Sequence, residues 1–366
     1  MKTIDKTWIK PLSLGSVVLG SGGGGKTNNL VFLLEDILTK NIEIQLLDLE
    51  DLNSKDYYCS TGMIGSTQLI DDFYFSGHEG VETVKDIEKL TRKNIKGIFT
   101  LEAAGVNTLY PLAVAGLMGI PVVDADCMGR AFPEIQMTVF QIENEDILPF
   151  ILNDTRNKTH IFDKEETFIV DLNIRKILNE IDNLGFFSCA VKDGNSLKER
   201  LIPETISFTR DIGEVFIEET NYESILKKLI FITKNSVYGA AIELFKGEIK
   251  VIDKNTGSNW QTINLDGIED YSKKEYKIMN KNEYLISFID GEISCMVPDI
   301  IVTIDIERLI PVNIEDIRKN MKIAVLGIPA PINLKTNKAL NIVGPTSFGY
   351  KSTYKPLEKT YYNYYY

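Results

Sequence analysis

The stretch I-P-V-V-D-A-D-C-M-G-R-A-F-P-E-I-Q-M, residues 120–137, joins an apolar run to a dense set of charged residues. Its first residues predict a strand, and Asp124 ends the apolar run. Asp126, Arg130 and Glu134 follow closely. Buried charges are costly unless they contact each other or a ligand, and open α/β sheets bind ligands at the carboxyl ends of their strands. We therefore expect the functional site here.

Strands and helices alternate along the first part of the chain. The predicted strands are Val17–Leu19, 42–47, 95–101 and 120–123, and the predicted helices start at Thr27 or Asn28 and around Pro111. Alternation of this kind is typical of a mainly parallel sheet with flanking helices. We therefore predict an N-terminal α/β domain at residues 1–167, with a glycine-rich loop and an acidic motif.

The pattern changes in the second part of the chain. Helices are predicted at residues 172–184 and 196–214, the second broken at Pro203, and from Ser236 short strands are predicted with turns at Lys246-Gly247, Asn255–Gly257, Asp266-Gly267 and Asp290-Gly291, then a strand at Lys322–Leu326. Residues 168–366 are therefore predicted to form a C-terminal β-rich domain with a helical lead-in.

Composition narrows the class of partner. The formal net charge of -12 argues against nucleic acid or an anionic membrane, since phosphate binding requires clustered Lys and Arg. The chain has no apolar run of membrane-spanning length, no signal-peptide pattern at its start and no C-x-x-C pair. We expect a cytoplasmic protein with a small-molecule substrate. The tyrosine-rich tail, Tyr361–Tyr366, predicts either a poorly ordered terminus or a contact in a homo-oligomer.

Several motifs together resemble one protein family. They are L-G-S-G-G-G-G, E-A-A-G-V-N, P-V-V-D-A-D-x-M-G-R-A-F-P-E-I-Q-M, V-P-D-I-I and G-P-T-S-F-G-Y. From about Leu14 to Tyr354 the chain resembles the DUF917 family, whose members are also called S-methyl thiohydantoin desulfurase-like or hydantoin-utilisation proteins. The resemblance implies an N-terminal α/β domain, a C-terminal β-rich domain and hydrolysis of a small cyclic amide. Cys127, Ala104 and Lys26-Thr27 depart from the family pattern, which puts the exact substrate in doubt.

The glycine run has three interpretations. Gly20–Thr27 reads G-S-G-G-G-G-K-T and fits the P-loop pattern, which would make the protein an ATP-dependent enzyme that uses Mg²⁺ with the nucleotide. Alternatively, the backbone N–H groups face an anion or a polarised carbonyl of the substrate. This second interpretation, which we favour, concerns Gly22, Gly23, Gly24 and Gly25. The third is a tight turn without a ligand.

The acidic motif also has three interpretations. Asp124 and Asp126 lie on the same side of an extended chain, so one can activate water while Arg130 fixes the other. The pair can instead bind a hard cation such as Mg²⁺. The third interpretation is a structural Asp–Arg network next to a helix. We favour the first, with Asp124 and Asp126 catalytic, Arg130 and Glu134 in substrate binding, and no metal.

Glu102 and Asn107 follow the strand predicted at residues 95–101. Because neighbouring strand ends of a parallel sheet lie close together, we expect Glu102 to face the same crevice as Asp124 and to act in catalysis. Asn107 either binds substrate or caps the next helix. His78 and His160, the only histidines, make a histidine metal centre and a Ser-His-Asp triad improbable.

These residues and the family resemblance lead to one functional prediction. We expect a hydrolytic enzyme without a cofactor, in which a carboxylate activates water for attack on the ring carbon of a thiohydantoin-like or hydantoin-like substrate. The alternatives are the ATP-dependent enzyme described above and a non-catalytic subunit of a hydantoin-catabolic complex.

Overall fold

A computed structural model of the chain describes residues 1–66, 73–156, 158–254 and 260–361. The helices are α1 (Lys6–Gly20), α2 (Asn28–Thr39), α3 (His78–Thr91), α4 (Val106–Met118), α5 (Val139–Ile142), α6 (Thr167–Glu180), α7 (Gly194–Arg200), α8 (Thr205–Glu218), α9 (Tyr222–Lys234), α10 (Asn337–Val343) and α11 (Leu357–Thr360). The strands of the first sheet are β1 (Lys2–Ile4), β2 (Ile44–Leu47), β3 (Tyr57–Gly65), β4 (Ile95–Thr100), β5 (Val122–Asp126), β6 (Phe150–Asp154), β7 (Thr159–Phe162), β8 (Leu184–Asp193) and β9 (Ile202–Pro203).

Parallel strands form the centre of the first sheet. Within the described residues the order is β1-β2-β5-β4-β3-β8-β6-β7, with β9 paired to β5. The pairs β2–β5, β5–β4 and β4–β3 are parallel, and the strands outside them run antiparallel to their neighbours. Helix α4 connects β4 to β5, as expected for neighbouring parallel strands. The predicted α/β architecture is confirmed.

The second sheet is antiparallel throughout. Its strands are β10 (Ile242–Lys254), β11 (Gln261–Gly267), β12 (Glu275–Asn280), β13 (Tyr284–Ile289), β14 (Glu292–Met296), β15 (Ile300–Asp305), β16 (Ile310–Pro311) and β17 (Lys322–Ile328). They are ordered β14-β13-β12-β11-β10-β17-β15-β16 in the described part of the chain. This sheet is the β-rich C-terminal unit that the sequence predicts.

The strand predicted at Val17–Leu19 is wrong, because these residues lie in helix α1. Asp5 caps this helix by accepting a hydrogen bond from the Thr7 N–H. Helix α1 packs very closely on α8: a Cβ on Gly15 would lie 1.7 Å from the Thr209 carbonyl oxygen. A short run of β-branched and leucine residues does not distinguish a strand from a buried helix, and here the buried helix forms.

One apolar core crosses from the first sheet to the second. It contains Leu12 of α1, Ile212 of α8, Val302 of β15 and Leu326 of β17. The two sheets therefore share one core, and helices α1 and α8 contribute side chains to it. The first sheet also continues beyond residue 167, because β8 and β9 belong to it. The domain boundary at residues 167 and 168 stays a prediction.

Other predictions have mixed outcomes. Pro203 interrupts the predicted helix at 196–214, which forms α7, β9 and α8. Lys246-Gly247 lies inside β10 instead of forming a turn. A Cβ on Gly247 would lie 2.7 Å from the Asp266 carbonyl oxygen, so close packing against β11 explains this glycine. Asp290-Gly291 does form the turn between β13 and β14, whereas Asn255–Gly257 and most of the tyrosine tail lie outside the described residues.

All four cysteines are buried and none forms a disulfide. Among the described residues, none of the helices combines the length and apolar character needed to cross a membrane.

Candidate functional site

A cavity of about 560 Å³ lies at the carboxyl ends of β3, β4 and β5, the edge of the sheet at which the sequence predicts a site. Its wall includes residues from both parts of the chain. They are Gly24, Met63, Ile64, Gly65, Ser66, Leu101, Glu102, Val106, Asn107, Met128, Phe132, Pro133, Glu134, Ile135, Arg175, Leu178, Asn179, Asn183, Phe187, Asn282 and Glu283. A mixed apolar and polar wall of this size can enclose a small heterocyclic molecule.

Glu102 lies in the cavity wall just beyond the end of β4. Its Oε1 accepts a hydrogen bond from Asn107 Nδ2 at 3.0 Å, and its Oε2 accepts one from the Phe132 N–H at 3.3 Å. Burial raises the pKa of this carboxyl to about 7, although the two hydrogen bonds and the nearby Arg130 charge oppose the change. A carboxylate with a pKa near neutrality suits a general base.

Glu283 reaches the same cavity from the turn between β12 and β13. It is only 5% exposed, and within the described residues its Oε2 atom has no hydrogen-bond partner. Burial and the charge of Glu102 raise its pKa to about 8. Both cavity carboxyls are therefore held toward the protonated form near neutral pH, where either can exchange a proton.

Asn107 holds the Glu102 carboxyl in place. Its Oδ1 accepts a hydrogen bond from the Met63 N–H at 2.8 Å, while its Nδ2 donates to Glu102 and to the Met63 carbonyl oxygen. The interpretation of Asn107 as a helix cap is wrong, because Gly105 occupies the N-cap position of α4. Asn107 instead ties the loop carrying Glu102 to strand β3.

Glu134 and Arg175 lie in another part of the cavity wall. Partial burial raises the pKa of Glu134, whose Oε2 accepts a hydrogen bond from Gln136 at 2.6 Å. The Arg175 guanidinium pairs with Asp171 at 2.6 Å and donates to the Pro133 carbonyl oxygen. The positive charge of Arg175 is thus already neutralised by a carboxylate of its own helix.

The glycine run allows close packing between segments. Gly24 lines the cavity, and of the four consecutive glycines it is the one that does. A Cβ on Gly105 would lie 1.8 Å from the Gly24 carbonyl oxygen, and one on Gly22 would lie 2.6 Å from the Tyr284 ring. The Gly24 carbonyl accepts a hydrogen bond from the Val106 N–H at 2.9 Å. The predicted contact between the N–H groups of these glycines and a substrate stays a prediction.

The P-loop interpretation loses its structural context, because a helix and not a strand precedes the glycine run. Lys26 forms an ion pair with Asp316 at 3.0 Å, and the Thr27 hydroxyl bonds to the Ser13 hydroxyl at 2.7 Å. A Walker lysine and threonine would instead face phosphate and Mg²⁺.

Asp124 does not share the cavity with Glu102, contrary to the expectation from the sequence. Its Oδ1 accepts hydrogen bonds from the N–H groups of Ile206 and Ser207, at 3.0 and 2.9 Å, and its Oδ2 accepts one from the Ser207 hydroxyl. It borders a separate space of about 100 Å³. Asp124 therefore stabilises the first turn of α8, where the helix dipole favours a negative charge.

Asp126 lies behind the cavity wall. Its carboxylate accepts hydrogen bonds from the Ala103 N–H at 2.8 Å and from the Gly129 N–H at 3.0 Å. Burial raises its pKa to about 8 in spite of these bonds. Because Ala103 follows Glu102 directly, Asp126 fixes the position of the loop that carries Glu102.

Arg130 contacts neither aspartate through a hydrogen bond, so the predicted Asp–Arg bracing is wrong. The guanidinium is fully buried and donates to the carbonyl oxygens of Ala131, Asp299 and Tyr284, at 3.0, 2.8 and 2.9 Å. Burial lowers its pKa to about 10. Since Asp299 and Tyr284 belong to the second sheet unit, Arg130 joins the two parts of the molecule behind the cavity.

Sequence reasoning missed Glu283 and Arg175. Glu283 lies in K-N-E-Y, a polar turn between two apolar strands, where a glutamate is ordinarily solvated. Arg175 follows Asp171 at the helical spacing of an ordinary surface ion pair. Neither position carries a local signal, since the approach of separate chain segments creates the cavity.

Comparison with known proteins gives two family matches. The model described as S-Me-THD-like, N-terminal domain, matches residues 7–164, and the model described as S-Me-THD-like, C-terminal domain, matches residues 164–357. No curated protein matches the sequence. The X-ray structure of a Northeast Structural Genomics Consortium target protein from Chromobacterium violaceum has a TM-score of 0.82 and 17% identity, over 98% of this chain and 100% of that chain. That likeness shows a shared fold.

Proposed function

This chain belongs to the S-Me-THD-like family, and we propose that it is a hydrolase of small hydantoin-type rings that removes the methylthio group of S-methyl thiohydantoins. The observation that carries the proposal is that two carboxyls, Glu102 and Glu283, line one cavity and that desolvation raises the pKa of both toward neutrality, to about 7 and about 8. Carboxyls whose pKa values are raised toward the working pH are suited to acid–base chemistry.

The reaction adds water to the ring carbon between the two nitrogens. The new C–O bond forms, the C–S bond breaks, and methanethiol leaves with a proton, so the product ring is a hydantoin. Glu102 takes the proton from the attacking water, and the Asn107 amide orients the Glu102 carboxylate. Asp126 acts indirectly as a positioning residue, because it holds the neighbouring Ala103 N–H.

The cavity also suits the substrate class by its wall. Met63, Leu101, Met128, Phe132 and Phe187 provide apolar surface for the faces of a flat ring. The carboxyls provide acceptors for ring N–H groups. In this proposal the catalytic carboxylate is Glu102, while Asp124 and Asp126 support the structure around it.

The test is turnover of a 2-methylthio-imidazolin-4-one by the purified protein. Methanethiol is measured with a thiol reagent and hydantoin by chromatography. Glu102→Gln keeps the shape of the side chain but cannot act as a base, so we expect turnover to fall by about 10²- to 10⁴-fold without loss of folded protein.

Glu180→Gln is the matched control, because Glu180 is exposed at the end of α6 and is not part of the cavity wall. This variant should retain the wild-type rate. Wild-type protein that releases neither methanethiol nor ring-opened product would support the non-catalytic subunit instead. Ring opening without methanethiol would show a different hydrolysis.

A further inference from the structure

The unused hydrogen-bonding capacity of the cavity is concentrated at Glu283. This side chain is buried in the wall, and its Oε2 atom lacks a hydrogen-bond partner within the described part of the chain. A buried carboxyl oxygen without a partner is costly to a folded protein unless a ligand or water satisfies it. The position of Glu283 therefore points to a ligand atom that forms a hydrogen bond there.

Basic side chains near the cavity are already bonded elsewhere. Arg175 is the one basic residue among the described residues of the wall, and it pairs with Asp171. Arg130 donates to carbonyl oxygens of the second sheet unit. Among its described residues the cavity wall therefore presents the carboxyls of Glu102, Glu134 and Glu283 and no basic side chain other than the paired Arg175, which favours a neutral or cationic ligand.

A protonated carboxyl at Glu283 presents a donor and an acceptor side by side. One oxygen carries the proton and can donate to an unprotonated ring nitrogen, while the other can accept from an N–H group. A 2-methylthio ring provides the ring nitrogen but has no N–H donor on the substituent. A 2-amino ring provides both, because its exocyclic amine donates next to the ring nitrogen that accepts.

We propose that the cavity also binds and hydrolyses 2-amino-imidazolin-4-ones, which are cyclic guanidines, with Glu283 contacting the ring nitrogen and the exocyclic amine together. This inference rests on the proposed function, since it uses the same cavity and the same base. In this inference Glu283 distinguishes a 2-amino from a 2-methylthio substituent on the reacting carbon.

The proposed second reaction balances in the same way as the first. The water oxygen forms a bond to the ring carbon, and the bond from that carbon to the exocyclic nitrogen breaks. Glu102 takes a proton from water, ammonia leaves with the protons it requires, and the ring product is again a hydantoin. The reaction requires water and no oxidant, reductant or further reactant.

The protonation of Glu283 sets the pH dependence of binding. Glu283 is affected by Glu102, Arg130 and Arg175 in addition to its own burial, and these influences together place its pKa at about 8. Above this pH the side chain loses the proton that the ring nitrogen accepts. Affinity should then fall by up to about tenfold for each further pH unit.

The experiment is calorimetric titration of the full chain with 2-amino-imidazolin-4-one at pH 6.5 and pH 9.5, alongside hydantoin as the 2-oxo analogue. We expect wild-type protein to bind the amino compound at pH 6.5 and at least tenfold more weakly at pH 9.5. Glu283→Gln presents a donor and an acceptor at both pH values, so it should bind with little pH dependence. Glu283→Leu, checked for its melting temperature, should lose binding at both.

Ammonia release gives the second readout, and methanethiol release separates this inference from the proposed function. Methanethiol release without binding of the amino compound would overturn the inference and leave the proposed function standing. Binding whose pH dependence is unchanged in Glu283→Gln would also overturn the role of Glu283. Binding and ammonia release without methanethiol release would support the inference and overturn the proposed desulfurisation.

Discussion

Two pairs of acids in this protein have opposite surroundings. The oxygens of Asp124 and Asp126 accept hydrogen bonds from backbone N–H groups and a hydroxyl, and neither residue borders the large cavity. Glu102 and Glu283 border it, and one oxygen of Glu283 lacks a partner among the described residues. The difference teaches that contact with a cavity makes a buried acid a functional candidate, whereas a position at the end of a strand is insufficient.

Among substitutions in the acidic motif, we expect Arg130→Lys to have the largest effect on stability. Arg130→Lys retains the charge but cannot reproduce the geometry of the three guanidinium hydrogen bonds, which weakens the bonds to the buried carbonyl groups of Ala131, Asp299 and Tyr284. We expect the free energy of unfolding to fall by about 3 kcal/mol or more, measured by urea denaturation.

The control for this variant is Arg92→Lys, because Arg92 is exposed at the end of α3 and should tolerate lysine. If Arg130→Lys were as stable as the wild type but bound substrate poorly, Arg130 would belong to the substrate site. The contrast between the acidic motif and the cavity acids would then be weaker.

The second prediction concerns Asp126→Asn. Both oxygens of Asp126 accept from backbone N–H groups, so one asparagine N–H would face a backbone N–H. We expect a loss of about 1–3 kcal/mol of stability by urea denaturation and a smaller loss of turnover than in Glu102→Gln. The exposed Asp163→Asn is the matched control. A drop in turnover as large as that of Glu102→Gln, at unchanged stability, would return the catalytic role to Asp126.

The third prediction concerns pH and the cavity acids. The pKa values of Glu102 and Glu283 are raised to about 7 and about 8, above the ordinary value of 4.5. The folded protein therefore holds protons that the unfolded chain releases, and the resulting stability, complete below about pH 4.5, is lost as the pH rises through 7 to 8.

Melting temperatures of wild type and Glu283→Gln between pH 5 and pH 8.5 test this expectation. The melting temperature of the variant should fall less steeply with rising pH than that of the wild type. Some of the fall should remain, because Glu102 and Asp126 also have raised pKa values. An unchanged slope would mean that Glu283 is not the buried acid that titrates in this range.

In the first sheet, the strands β2, β4 and β5 could be predicted from the sequence because apolar runs ended at polar residues, whereas its other described strands were not predicted. This was sufficient for β4, for β5 and for the break at Pro203. It failed at Val17–Leu19, where a short apolar run belongs to a buried helix. Local pattern defines where an apolar segment begins and ends, but the packing partner decides between strand and helix.

The candidate site could be predicted in part. Glu102 and Asn107 follow β4, and the general rule for parallel sheets places them at the correct edge. Glu283 could not be found in the same way, since it is distant in sequence and reaches the cavity only when the hairpin of β12 and β13 packs against α1. The Tyr284 N–H fixes that hairpin by donating to the Ser21 carbonyl oxygen at 2.7 Å.

The junction made by Arg130 has a consequence for synthesis on the ribosome. When the first sheet has emerged through β9, the chain still lacks Asp299 and Tyr284, the carbonyl partners that Arg130 contacts in the complete protein. The nascent sheet therefore carries Arg130 without those partners and a cavity without Glu283. Because domains tend to fold as they emerge, the Arg130 junction and the cavity wall are completed only after the β12–β13 hairpin and Asp299 have been synthesised.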